Sequence, residues 1–146
     1  MKTDLKKVFA IAGYPGLYVY VSNGKNSIIV ESLLDKKRMS AGNSMRVTSL
    51  SDVAIYTDAE ELALREVLEK IKEKENGMLA IPHKSPTSEL QKYFEVVLPD
   101  YDRERFYTSH MKKVLEWYNT LQQNNMLEFE PIEDEALPNE EEKQST

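Results

Sequence analysis

The side chains of this chain best able to do chemistry are its two histidines, His83 and His110, and the closely spaced acids Asp100, Asp102 and Glu104. Carboxylates at alternate positions open a calcium-binding loop, where oxygens from the first, third and fifth residues meet a hard cation. Such a loop needs glycine at its sixth place and glutamate at its twelfth, and here Arg105 and Met111 stand there. The acids are therefore expected to form a helix-connecting loop with ion pairs to Arg103 and Arg105. His83 and His110 lack the i,i+4 spacing and companion carboxylate of a helical zinc site, so no metal is expected. His110 with Asp100 or Asp102 could act as an acid–base pair in a hydrolytic enzyme, whereas a lone histidine near a helix start more commonly caps it. No glycine-flanked serine elbow or phosphate-cradling glycine loop accompanies them. With no cysteine there is no thiolate nucleophile, disulfide or cysteine-bound metal. No catalytic residue and no cofactor is assigned.

A second chemistry is suggested by Lys25, Lys36, Lys37, Arg38 and Arg46 beside Tyr18 and Tyr20. Cations contact phosphate and exposed tyrosines stack on bases, so these seven are the candidate nucleic-acid-binding residues. The competing reading is structural: lysines guard strand edges, tyrosines pack well in strands, and the aromatic motifs of RNA-binding sheets are missing. Trp117 and Tyr118 could likewise form a binding ledge or belong to a helical core.

These residues must be positioned by two differently patterned regions. Up to Tyr56 the apolar period is about two, and from Thr57 it is about 3.6, which divides the chain into residues 1–56, 57–127 and 128–146. The first region carries 8 basic and 4 acidic groups, the second 10 and 13, the third 1 and 8, so the net charge of -6 is concentrated at the C-terminal end. In the first region Gly13-Tyr14-Pro15-Gly16 suits a type II turn, and Leu17, Val19 and Val21 alternate with Tyr18, Tyr20 and Ser22. Asn23-Gly24 predicts a tight hairpin to Ser27–Ser32, and Asp35-Lys36 marks another reversal. Further strands are expected at Val8–Ala12, Arg38–Ala41, Met45–Leu50 and Val53–Tyr56. Short strands at this spacing can close on themselves, which predicts a small SH3-like β-barrel.

In the second region Thr57 with Glu60, and Asp58 with Glu61, read as overlapping capping boxes that start a helix ending at Asn76-Gly77. Leu90, Tyr93, Phe94, Val97 and Leu98 form the apolar stripe of a second helix, ended by Pro99. Met111, Val114, Leu115, Tyr118 and Leu121, bordered by Trp117, define a third, running from Thr108 or Ser109 to about Gln123. The tail 128–146, with Pro131, Pro138 and Glu140-Glu141-Glu142, is expected to be disordered; it is either a solubilising tail or an electrostatic cover for the basic N-terminal region. The apolar run Val8–Gly13 is too short for a signal sequence, and no stretch could span a bilayer, so a cytoplasmic protein with no membrane partner is expected.

Gly13–Tyr18, Ile29–Leu33, Ala54–Thr57, Leu64–Val67 and Lys112–Asn119, in this order, make the chain resemble a family of small bacterial proteins of unknown function. The resemblance covers residues 1 to about 127. It implies an N-terminal small β domain, a helical domain and a variable acidic tail, and it implies no activity. Its members carry glycine after the aspartate where this chain has Lys36. The expectation is thus an α+β protein, with a small SH3-like barrel, three C-terminal helices and a disordered acidic tail. It is read as a non-enzymatic binding or adaptor protein whose partner is another protein; nucleic acid is the alternative partner, and a second copy of the chain remains open.

Overall fold

The computed structural model describes residues 3–129. Five strands make one antiparallel sheet: β1 (Val8–Ile11), β2 (Tyr18–Gly24), β3 (Ser27–Ser32), β4 (Arg38–Gly42) and β5 (Val47–Ser49), in the order β4-β3-β2-β1-β5. A two-stranded hairpin of β6 (Ala54–Tyr56) and β7 (Glu61–Ala63) follows, and then α1 (Leu64–Glu75), α2 (Thr87–Val97) and α3 (Thr108–Gln123). The architecture is α+β. No helix among the described residues is long and apolar enough to cross a membrane.

The expected SH3-like barrel does not close. β4 and β5 are the two edges of the sheet, and no ladder joins them among the described residues. β5 pairs only with β1, after which a 3-10 turn at Leu50–Asp52 carries the chain into β6, and β6 pairs forward with β7. The strand that could have sealed the barrel is thus used in a separate hairpin.

Two turns differ from expectation for local reasons. The β2–β3 reversal is made by Lys25-Asn26, with Asn26 at φ 58°, rather than by Asn23-Gly24. Gly24 instead pairs with Ser27 so closely that an added Cβ would lie 2.8 Å from the Ser27 hydroxyl oxygen. The register shifts between Tyr20 and Ser22, so the alternation holds from Leu17 to Tyr20 and then inverts, with Ser22 opposite Ile29. Thr57 does not cap a helix. Its hydroxyl accepts from the Glu60 amide at 2.9 Å and closes the β6–β7 turn, so that Leu62 pairs with Ile55 and the helix starts at Leu64. The change of period at Tyr56–Thr57 therefore falls inside a hairpin.

The helical stripes pack as their spacing predicts. Leu64, Val67, Leu68 and Ile71 of α1, Leu90, Tyr93, Phe94 and Val97 of α2, and Met111, Val114, Leu115, Tyr118 and Leu121 of α3 are all buried. They share one core with Leu5, Val8, Leu17, Leu33, Leu50 and Ile55 from the strands and their connections. Each fully buried leucine contributes about 1.5–3 kcal/mol, so this common core, rather than helix propensity, holds the layers together. The opposite face of the sheet carries a smaller cluster of Ile11, Tyr18, Val30 and Ala41, flanked by Phe9, Met39 and Val47. At the C-terminal end, Phe129 is buried and bridges to Thr3, so the first two residues of the region read as a disordered tail belong to the fold. Residues 130–146 lie outside the described residues.

Candidate functional site

α3 has two working faces. Its buried stripe meets the core, and beside it His110, Lys113 and Trp117 recur at intervals of three and four, which places them along one adjoining line. Trp117 and Lys113 line two neighbouring cavities between α3 and the strands. One, of about 230 Å³, is bounded by Val53–Tyr56, Arg105, Phe106 and His110. The other, of about 530 Å³, is bounded by Ala10–Gly16, Arg46, Thr48 and Glu116. Both are lined by Lys113 and Trp117, and the two together are called the groove beside α3; its lining is partly apolar (Val53, Ile55, Ala10, Ile11) and partly charged (Arg46, Arg105, Lys113, Glu116).

Each end of the groove is fixed by local structure. At one end, Gly13 and Gly16 hold the β1–β2 turn with φ of 86° and 77°, leaving Tyr14 46% exposed. Gly16 is required there, because a side chain would be strained by that φ and would also meet Leu34. At the other end, Phe106 is buried edge-on against Phe94 and Tyr101, anchoring the connection between α2 and α3. Asp102 accepts from Arg105 Nε at 2.8 Å and from the Glu104 amide at 2.8 Å, and these bonds, with Arg105 first, hold its carboxyl below the usual range. The Arg105 guanidinium then lies 4.4 Å from the centre of the Tyr56 ring.

Arg105 is therefore already engaged. Arg46 and Lys113 differ, since neither side chain has an ion-pair or hydrogen-bond partner among the described residues. Together they place two positive charges without ion-pair partners beside the single acid Glu116, in a groove whose aromatic surface comes from Trp117, Tyr14 and Tyr56.

The seven residues suggested for nucleic-acid binding do not form one patch. Tyr18 is 6% exposed and packs on the sheet's second cluster, where its phenol is pushed up by burial and then by Asp35. Tyr20 donates to Asn23 Oδ1 at 3.0 Å. Lys25 sits at the tip of the β2–β3 hairpin, a strand's length from the Lys36 turn. Lys36 Nζ donates to Asn124 Oδ1 beyond the end of α3, and Arg38 Nε pairs with Glu31 at 3.2 Å. Lys37 is exposed on the same turn, while Arg46 precedes β5 on the opposite edge of the sheet and enters the groove. Lys36 takes φ 63°, so the β3–β4 turn has a left-handed residue without using glycine.

His110 does not pair with either candidate acid among the described hydrogen bonds. Its Nδ1 accepts from the Tyr107 amide at 3.1 Å, a helix-capping role that leaves the ring proton of the neutral form on Nε2. Asp102 serves Arg105, and the Asp100 carbonyl accepts from the Asp58 amide at 2.8 Å. Of the possible ledge residues, Tyr118 is fully buried and donates to the Met78 carbonyl at 2.7 Å, whereas Trp117 is half-buried in the groove. Lys113 and Tyr14 were not marked by composition. The three-and-four spacing of His110, Lys113 and Trp117 beside the core stripe is the signal that points to this face.

A five-stranded open sheet sharing its core with three helices, with a groove on the flank of α3, defines a two-part α+β fold. Two family models match consecutive stretches of it: the domain of unknown function DUF5606 over residues 5–50 and the domain of unknown function DUF6852 over residues 53–121. A solution NMR structure of a structural-genomics target from Bacteroides vulgatus is 47% identical, covering 96% of this chain and 99% of its own, with a TM-score of 0.72. The chain belongs to this bacterial family of unknown function. No curated protein matches it.

Proposed function

We propose that this protein is a non-enzymatic binding module that holds an acidic segment of another protein in the groove between α3 and the sheet. The observation that carries this reading is the pair Arg46 and Lys113, both without partners among the described residues and both lining the space around Trp117. Arg46, Lys113 and Arg105 against the single acid Glu116 favour an anionic partner, and the apolar lining favours one that also brings aliphatic side chains. Absence of cysteine fits work in the reducing interior of a bacterial cell. The exposed ring of Tyr14 and the half-buried indole of Trp117 support a second reading, in which single-stranded nucleic acid stacks its bases there.

The test is a titration of the full chain, followed by the indole N–H resonance of Trp117, with three probes: an acidic peptide containing leucine, a neutral peptide of equal length, and oligothymidylate. A shift with the acidic peptide, weakening as salt rises, is the expected result. A response to oligothymidylate alone transfers the groove to the second reading, and silence toward all three overturns both.

A further inference from the structure

We infer that the groove is occupied at rest by residues 130–146 of the same chain, so that a partner must displace an internal acidic competitor. This rests on the groove being an acid-binding surface. The segment carries seven acidic residues and one lysine, and Ile132 and Leu137 supply aliphatic side chains among them. Its charge and apolar content match the walls and floor of the groove. The basic residues on the strand turns offer less: Lys36 is held by Asn124 and Arg38 by Glu31, while Lys25 and Lys37 stand exposed.

Reach is sufficient. The described chain ends at Phe129, anchored beside Thr3, with Lys72 Nζ donating to the Leu127 carbonyl at 3.0 Å. Seventeen further residues extend up to about 56 Å, more than the roughly 35 Å width expected of a fold this size. Tethering also raises the local concentration of the segment to about the millimolar range, so an intrinsic Kd near 100 µM keeps the groove about 90% filled. An outside partner then competes against a weak ligand that is always present.

The chain has a single tryptophan, and it lies in the groove, which makes its quenching by neutral acrylamide a direct readout. Replacing all seven acids of residues 130–146 by their amides in the full chain should raise the Trp117 quenching constant about twofold. The Arg46→Ala and Lys113→Ala pair should raise it similarly, and combining both sets should add nothing further, the mark of a shared interaction. An unchanged quenching constant on neutralising the segment overturns the inference. In that event, adding a synthetic peptide of residues 130–146 to the neutralised chain separates the two proposals. Protection of Trp117 that is lost with Arg46→Ala and Lys113→Ala leaves the groove standing as an acid-binding site without resting occupancy. No protection removes both.

Discussion

The turn at Asp35–Arg38 and the groove beside α3 use the same kind of side chain to opposite ends. In the turn, three successive cations lie together in sequence, yet the fold engages two of them: Lys36 reaches Asn124 and Arg38 pairs with Glu31. In the groove, Arg46 and Lys113 are 67 positions apart in sequence, and they line one cavity with Glu116, neither cation having an ion-pair or hydrogen-bond partner among the described residues. A run of like charges thus marks a well-served structural turn here, and two cations distant in sequence line the cavity of the proposed site. Surface pairs such as Arg38–Glu31 contribute little to stability, about 0–1 kcal/mol, so engagement in the turn concerns geometry more than energy.

The contrast is broken most directly by charge removal. Arg46→Ala with Lys113→Ala should weaken an acidic peptide by about ten- to a hundredfold, or 1.4–2.8 kcal/mol, in a fluorescence titration, whereas alanine at Lys36, Lys37 and Arg38 together should change it less than twofold. Equal losses in the two variants would erase the distinction. Backbone strain gives the next largest effect. Gly16→Ala forces a side chain onto φ 77° at the wall of the groove and should cost about 1–2 kcal/mol in denaturant unfolding. Lys36→Gly should move the other way, gaining about 1 kcal/mol by relieving φ 63°, partly offset by the lost contact to Asn124. A stabilised Gly16→Ala or a destabilised Lys36→Gly would reverse the assignment of strain.

The smallest effect is in the pH dependence. Because Asp102 has its carboxyl pKa lowered in the fold, chiefly by Arg105, the stabilisation it gives is present above the ordinary carboxylate range. It fades as pH falls through the folded value. Asp102→Asn should therefore lower stability slightly in the neutral region and flatten the acid limb, so that the two curves converge at low pH. Tyr118 moves oppositely: burial, and then Glu75, push its phenol up to about 12, so its contribution is intact below pH 10 and declines between 10 and 12. Tyr118→Phe should remove that alkaline decline, as followed by unfolding at successive pH values.

The helices were legible because burial on one side imposes a period that no local choice can hide; Leu90 to Leu98 and Met111 to Leu121 are buried as their spacing requires. Strand positions were legible as well, but pairing was not. Asn23-Gly24 has the composition of a tight turn, yet Gly24 is needed where the strands approach closely and Asn26 supplies the left-handed residue. Thr57 and Glu60 have the composition of a helix cap, and the same hydroxyl–amide bond closes a hairpin once Leu62 finds Ile55. Barrel closure depends on where β6 goes, and that is decided by the hairpin. The groove was least visible, since Arg46, Lys113 and Tyr14 come from three distant segments and acquire meaning only when α3 lies across the sheet.

The two family models meet near residues 51–52, at the short turn after β5, while Leu50, Ile55 and Leu64 around that junction are all within the same buried cluster. A recombination event dividing a gene there would expose apolar surface on both products. Neither half offers a ready module for shuffling into other architectures, and the pair is expected to be inherited as a single piece.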